Sequence, residues 1–162
     1  MFKRILVAVD GTPPSNAGLQ AAIELARDQK ATLLALHVID DTLPAVGFDG
    51  SYFPPSYFDT YFKAMQDLGR KILDKAMSAG RTAGVKVEPV VVRSRTQGVA
   101  PVVLFQARKL KADVVVLGTH GRRGLTRALM GSDAEAVVRE ATVPVLLVRG
   151  PRRAARKTPR PA

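Results

Sequence analysis

The chain has 162 residues, a formal net charge of +11, no cysteine and two histidines. That length suits one domain with a substantial apolar core. The composition excludes disulfides, thiolate nucleophiles, cysteine-ligated metal clusters and histidine-rich metal sites. Because the sequence contains neither a run of about 18 apolar residues nor a signal-peptide pattern, we expect a soluble, cytoplasmic protein without a membrane partner.

The positive charge is concentrated at the carboxyl terminus. Residues 149–162 carry six Lys and Arg and no Asp or Glu, which leaves +5 for the rest of the chain. Since this stretch has no aliphatic residue larger than alanine, we expect a disordered basic tail at 150–162 after one domain at 1–149. Such a tail would contact nucleic acid without sequence preference, and the domain itself carries no nucleic-acid-binding signature.

Short apolar runs alternate with longer amphipathic stretches along the domain. Five nearly continuous apolar runs predict strands of a parallel sheet covered on both faces: 4–9, 31–39, 85–92, 113–117 and 144–148. The stretches between them predict helices at 14–29, 59–83, 97–110 and 132–141. This alternation is typical of a single doubly wound α/β domain, whose ligands bind beyond the carboxyl ends of the strands, where the winding reverses.

Two segments leave the carboxyl ends of predicted strands: "DGTPPS" at 10–15 and "GTHGRRGLTRALMGS" at 118–132. In the second, Gly118 directly follows the strand and Gly121 comes three residues later. Both glycines permit a tight turn and close approach of backbone N–H groups to a phosphate. Ser132 begins the last helix, where free N–H groups favour an anion. Alternatively, Ser132 is the N-cap, and Glu135 completes a capping box.

Together these segments resemble the universal stress protein family over about residues 1–149. The resemblance rests on "ILVAVDGT", "LHVID" and "ADVVVLGTHGRRGLTRALMGSDAEAVVREATVPVLLVR", with the glycine pattern G-x₂-G-x₉-G-S. It implies a five-stranded parallel sheet in the order 3-2-1-4-5, flanked by four helices. It further implies a homodimer through the final strand, 143–149, and membership of the ATP-binding branch. The function would be that of a nucleotide-responsive stress regulator, with Mg or Mn carried by the ATP.

The same resemblance implies which residues surround the nucleotide. The backbone around Val38 would lie near the adenine. Gly118 and Gly121 would meet the ribose and phosphates, and Gly131 with Ser132 would meet the phosphate chain.

Five charged residues in these segments have two interpretations each. Asp10 would lie near the adenosine by the resemblance, but Asp in a "DGT" turn also favours the turn and the following helix start. Asp133 replaces a small or apolar residue of the family. It either complements the helix dipole or affects the triphosphate, by repelling it or by holding its ion through a water. Arg122, Arg123 and Arg127 are either solvated or contact phosphate.

Three questions stay open at the level of sequence. Residues 40–62 contain seven of the nine aromatic residues, which either cover the sheet and start the next helix or form a lid or partner surface. His37, in the second strand, is interpreted as a packed, hydrogen-bonded residue. Slow ATP hydrolysis is an alternative function, although apart from Asp133 the sequence offers no convincing general base or magnesium carboxylate set.

Overall fold

The computed structural model describes residues 1–40, 54–94, 98–119 and 131–150. Within these ranges, strands and helices alternate throughout. The strands are β1 (Arg4–Ala8), β2 (Thr32–Asp40), β3 (Val87–Ser94), β4 (Val114–Thr119) and β5 (Val145–Arg149). The helices are α1 (Pro13–Gln29), α2 (Pro55–Thr82), α3 (Val99–Lys109) and α4 (Ser132–Glu140). Every strand and helix predicted from the sequence is present.

The five strands form one parallel sheet in the order β3-β2-β1-β4-β5. The chain winds outward from β1 to β3 and then returns to add β4 and β5 on the other side of β1. Consequently α1 and α2 pack on one face of the sheet, and α3 and α4 pack on the other. The prediction of a doubly wound α/β domain is confirmed, and the winding reverses between β1 and β4.

Two apolar layers hold the helices to the sheet. Successive side chains of β1 serve both layers, because side chains of a strand alternate between its faces. Ile5 and Val7 pack against α1 and α2, whereas Leu6 packs against α3 and α4, and all three are fully buried. Burying a side chain of this size contributes about 1.5–3 kcal/mol. The nearly continuous apolar runs of the sequence therefore reflect a sheet covered on both faces.

Helix α2 begins four residues earlier than the predicted range of 59–83. Pro55 is its first residue and Pro54 its N-cap, so both prolines belong to the helix start. Proline is tolerated there because the first N–H groups of a helix have no intrahelical acceptor. The aromatic residues from Tyr57 to Phe62 lie in this helix, and the guanidinium of Arg93 lies 4.9 Å from the centre of the Phe62 ring. Residues 41–53 of the aromatic segment lie outside the described residues.

Two strand boundaries also differ from the predicted ones. Strand β3 begins at Val87 rather than at residue 85, because the Val85 N–H donates to the Gly80 carbonyl at 2.8 Å and closes the end of α2. Strand β4 continues through Gly118 and Thr119, which pair with β5. Gly118 is therefore a strand residue and not the first residue of a turn. Over the ranges that the structure describes, no helix is long and apolar enough to cross a membrane.

Candidate functional site

A cavity of about 200 Å³ opens at the carboxyl edge of the sheet, next to the reversal between β1 and β4. Its apolar lining comes from the strands and from α3 and α4: Ala8, Val9, Leu36, Val38, Val99, Val103, Leu117, Ala134 and Val137. Its polar lining comes from the β1–α1 turn, the end of β4 and the start of α4: Asp10, Thr12, Ser15, Gly118, Gly131, Ser132 and Asp133. An apolar cleft with a few convergent polar groups is typical of a small-molecule site.

The β1–α1 turn is held by a network of short hydrogen bonds. Oδ1 of Asp10 accepts from the backbone N–H of Thr12 at 2.9 Å and from its hydroxyl at 2.6 Å. The Asp10 N–H donates to the buried Ser15 hydroxyl at 2.9 Å. Thr12 is the N-cap of α1 and accepts from the Ser15 N–H at 3.4 Å. The structural interpretation of Asp10 as a turn former is thus correct, and its carboxylate is still exposed and lines the cavity.

Gly118 brings the backbone of β4 into direct contact with α1. A Cβ atom on Gly118 would overlap the Pro14 carbonyl group and would lie 2.7 Å from the Ser15 nitrogen. A Cβ atom on Gly18, one turn further along α1, would lie 3.0 Å from the Gly118 nitrogen. The packing of α1 against β4 is therefore enough to require glycine at 118, whether or not a ligand is bound.

Helix α4 starts at the cavity without a side-chain cap. Its N-cap is Gly131, with φ −57° and ψ 146°, and Ser132 is the first helical residue. The Glu135 carboxylate pairs with Arg139 at 3.3 Å instead of reaching back to the helix start. The capping-box interpretation of Ser132 and Glu135 is therefore wrong. Ser132 and Asp133 line the cavity from the first turn, where backbone N–H groups have no acceptor within the helix.

Strand β2 reaches the cavity beyond the end of β1. The last strand pair joins Ala8 to Leu36, two residues before Val38, and the Val9 N–H then donates to the Leu36 carbonyl at 2.8 Å. On its other edge Val38 pairs with Val92 of β3. Val38 is therefore anchored to β3 and borders the cavity just past the end of β1.

Six of the predicted site residues line this one cavity: Asp10, Val38, Gly118, Gly131, Ser132 and Asp133. The other four lie outside the described residues: Gly121, Arg122, Arg123 and Arg127. That these residues bind a ligand stays a prediction.

Sequence reasoning missed part of the lining. Thr12 and Ser15 lie in segment 10–15, which the sequence predicts to be at the site. The sequence does not show that these two residues hydrogen-bond to Asp10 and line the cavity. Val99 and Val103 come from α3, which the cavity recruits through the packing of that helix on the sheet. An apolar helix face predicts burial, but the sequence does not show that part of this face borders a cavity.

The charged side chains in the described lining are the carboxylates of Asp10 and Asp133. Within the described ranges, no group of three or more Asp, Glu or His residues could hold a metal ion.

At the amino ends of the strands, hydrogen bonds from the backbone N–H groups of Arg4 and Lys3 lower the pKa of Asp113. A hydrogen bond from Lys86 likewise lowers the pKa of Glu88. Those two carboxylates therefore lie away from the cavity.

Solved structures with a similar fold include two that contain an adenine nucleotide. One is the universal stress protein from Archaeoglobus fulgidus in complex with dAMP, with a TM-score of 0.63, 21% identity and coverage of 90% of this chain and 97% of that one. The other is a universal stress protein family protein from Arabidopsis thaliana with AMP bound, with a TM-score of 0.64, 19% identity and coverage of 94% and 93%. At this identity the likeness establishes the fold alone.

More similar relatives establish the family. Universal stress protein MJ0531 of Methanocaldococcus jannaschii is 32% identical over 94% of this chain and 85% of its own length. Universal stress protein YxiE of Bacillus subtilis is 32% identical over 92% and 100%. A crystal structure from Burkholderia pseudomallei is 33% identical, with a TM-score of 0.71 and coverage of 90% and 95%. The family model described as "Universal stress protein family" matches residues 1–149. The chain belongs to the universal stress protein family.

Proposed function

We propose that the protein binds an adenine nucleotide, ATP in particular, in the cavity between β1 and β4 and acts as a nucleotide-responsive stress regulator. The observation that carries this proposal is the convergence of six predicted site residues on one cavity at the reversal of the sheet. The dAMP and AMP found in two proteins of the same fold support it.

The cavity offers matching chemistry to the parts of a nucleotide. Its apolar residues suit the faces of a purine, and the backbone edge of β2 at Val38 suits the polar edge of the base. The exposed Asp10 carboxylate can accept hydrogen bonds from ribose hydroxyl groups. The first turn of α4, with the Ser132 hydroxyl, suits the phosphate chain, because helix N-termini attract anions.

The charge of the site bears on the choice of nucleotide. A triphosphate beside the Asp10 and Asp133 carboxylates requires positive charge from elsewhere. We propose that a Mg or Mn ion carried by the nucleotide supplies part of it, with Asp133 holding the ion through a water. Arg122, Arg123 and Arg127 would supply the rest from the segment outside the described residues.

A nucleotide regulates this protein only if it binds two conformations with different affinity. One candidate for the responding part is a homodimer formed through the final strand, 143–149. Strand β5 is an edge of the sheet, and Leu146 on it is 39% exposed. An apolar edge strand readily pairs with another chain, and a two-fold pairing of these strands would cover the β5 edge of each chain.

Two other functions stay as alternatives. The six positive charges of residues 149–162 favour a sequence-independent contact with nucleic acid. Slow ATP hydrolysis would need a group that activates water, and Asp133 is the candidate that the described cavity offers.

Gly131→Val tests the proposed site. The backbone conformation of Gly131 is open to any residue, so valine adds no backbone strain. Because Gly131 lines the cavity, we expect the valine side chain to take up space proposed for the phosphates. We expect the affinity for ATP to fall at least tenfold, about 1.4 kcal/mol, by isothermal titration calorimetry.

Ala141→Val is the matched control. Ala141 ends the same helix in an extended conformation, with φ −65° and ψ 136°, and does not line the cavity. This variant should bind ATP like the wild type, and both variants should melt near the wild-type temperature. Unchanged ATP affinity in folded Gly131→Val would refute the site.

A further inference from the structure

The hydrogen-bond pattern between β1 and β2 changes at the cavity. The Thr32 N–H donates to the Lys3 carbonyl at 2.9 Å, and the Val9 N–H donates to the Leu36 carbonyl at 2.8 Å. Even-numbered residues of β2 therefore direct their backbone groups toward β1. Odd-numbered residues face β3, as the Leu33 N–H shows by donating to the Lys86 carbonyl. A regular continuation of this ladder would direct the Val38 N–H at the Val9 carbonyl.

The Val9 carbonyl accepts from a side chain at this point. Nδ1 of His37 lies 2.7 Å from the Val9 carbonyl oxygen, and this nitrogen must donate because a carbonyl only accepts. The ring is buried, with His37 8% exposed. This confirms the interpretation of His37 as a packed, hydrogen-bonded residue. It also shows that His37 engages the carbonyl at which the β1–β2 ladder would have continued.

Helix α2 holds the His37 ring in place. The ring packs against Gly69, where a Cβ atom would lie 2.6 Å from Cδ2 and 3.1 Å from Nε2 of His37. Glycine in a helix interior costs about 1 kcal/mol relative to alanine. The absence of a side chain at Gly69 leaves the space that the His37 ring occupies. The ring therefore accounts for a glycine at this helical position despite its low helix propensity.

We propose that His37 is a positioning residue for recognition of the nucleobase. The His37 ring occupies the Val9 carbonyl that the Val38 N–H would otherwise meet. The β1–β2 pairing ends at Ala8 and Leu36, before it reaches the C=O of Val38, so both backbone groups of Val38 are available at the border of the cavity. This inference rests on the proposed nucleotide function and deepens it, because it assigns base selectivity to a residue that does not line the cavity.

The chemistry of the base gives the expected selectivity. Adenine presents the N1 acceptor beside its amino donor, which complements a backbone N–H and C=O on one strand edge. Hypoxanthine presents an N1–H donor beside a carbonyl acceptor, so both hydrogen bonds would be mismatched. A site that hydrogen-bonds one edge rejects the mismatched base strongly, because its own polar groups are left unpaired.

The test compares the dissociation constants of ATP and ITP by isothermal titration calorimetry. We expect the wild type to prefer ATP, and His37→Leu to lower the ratio of the ITP to the ATP dissociation constant at least tenfold. His37→Asn should restore most of the ratio, because the asparagine amide can donate from a position near that of Nδ1. A merely structural role would weaken both nucleotides alike and leave the ratio unchanged.

Gly69→Ala tests the same inference without changing a polar group. Its Cβ atom must displace the His37 ring, and the higher helix propensity of alanine offsets part of the cost of this displacement. We expect the same fall in the ratio. Ser78→Ala, at an exposed position of the same helix, is the control and should leave the ratio at the wild-type value.

The outcomes separate this inference from the proposed function. Wild-type preference for ATP together with an unchanged ratio in His37→Leu and Gly69→Ala would overturn the role of His37 and leave the nucleotide site standing. Equal wild-type affinity for ATP and ITP would overturn the inference as well, because the protein would then have no base selectivity for His37 to support. Failure of the wild type to bind either nucleotide would overturn the proposed function itself.

Discussion

Gly118 lies beside the proposed ligand site, where a glycine can be required either by a ligand or by packing within the protein itself. Its missing side chain is already required by Pro14 and Ser15 of α1, which occupy the space a Cβ atom would take. Gly118→Ala should therefore destabilise the protein even without nucleotide. We expect a loss of about 1–3 kcal/mol, the usual cost of overpacking, measured by urea denaturation followed by circular dichroism. A wild-type midpoint in this variant would show that α1 does not pack as closely as the structure has it.

The same residue shows how far sequence reasoning reaches at this scale. The sequence predicts that Gly118 lets the backbone approach a phosphate, and this stays a prediction. The close approach that the structure shows is to α1. A contact between residues about a hundred positions apart depends on the packing of whole elements, so local sequence does not specify it. The sequence also predicts that His37 is hydrogen-bonded, but it does not identify Val9 as the partner, because that contact depends on how β1 and β2 pair.

At the scale of elements, Asp113 fixes the amino end of β1 next to β4. Its Oδ2 accepts from the N–H groups of Lys3 at 2.7 Å and Arg4 at 2.8 Å, and these bonds lower its pKa below the ordinary value of 3.8. Because the folded pKa is lowered, the carboxylate stabilises the fold above its ordinary pKa. That stabilisation is lost as the pH falls through the lowered value.

Asp113→Asn tests this linkage. At neutral pH the variant should unfold at a lower urea concentration than the wild type. The difference should be small, because the group is exposed to solvent. Below the ordinary pKa of 3.8 the difference should shrink toward zero as the wild-type carboxylate becomes protonated. Asp74→Asn on α2 controls for the change of charge, and a difference that persists at acid pH would contradict the assigned cause.

The elements themselves were largely predictable from the sequence. Continuous apolar runs identify the central strands β1, β2 and β4, which are buried on both faces, whereas the edge strands β3 and β5 also have exposed residues. Thr12 with two prolines identifies the start of α1. The boundaries were less accurate where pairing decides them. Gly118 and Thr119 read as loop residues, yet they extend β4 because β5 lies beside them. The predicted start of α2 at residue 59 is four residues too late, because Pro54 and Pro55 are compatible with a turn as well as with the first positions of a helix.

At the scale of the whole molecule, the topology assembles the site. The segments that begin at Asp10 and Gly131 are far apart in sequence, and the reversal of the sheet between β1 and β4 brings them to one cavity. A general rule of doubly wound sheets predicted that edge, but the strand order came from resemblance to the family. The size of the cavity and the contribution of α3 depend on how all four helices pack, so the sequence did not specify them.

Native mass spectrometry of the protein, as purified and after addition of magnesium and ATP, tests the central claim most directly. We expect one adenine nucleotide per chain, with the mass of ATP, and an assembly of two chains. Bound ADP or AMP would retain the adenine site and contradict the assignment of ATP. A single-chain mass would contradict the dimer alone. No bound nucleotide in either sample would contradict the proposal that this cavity is a nucleotide site.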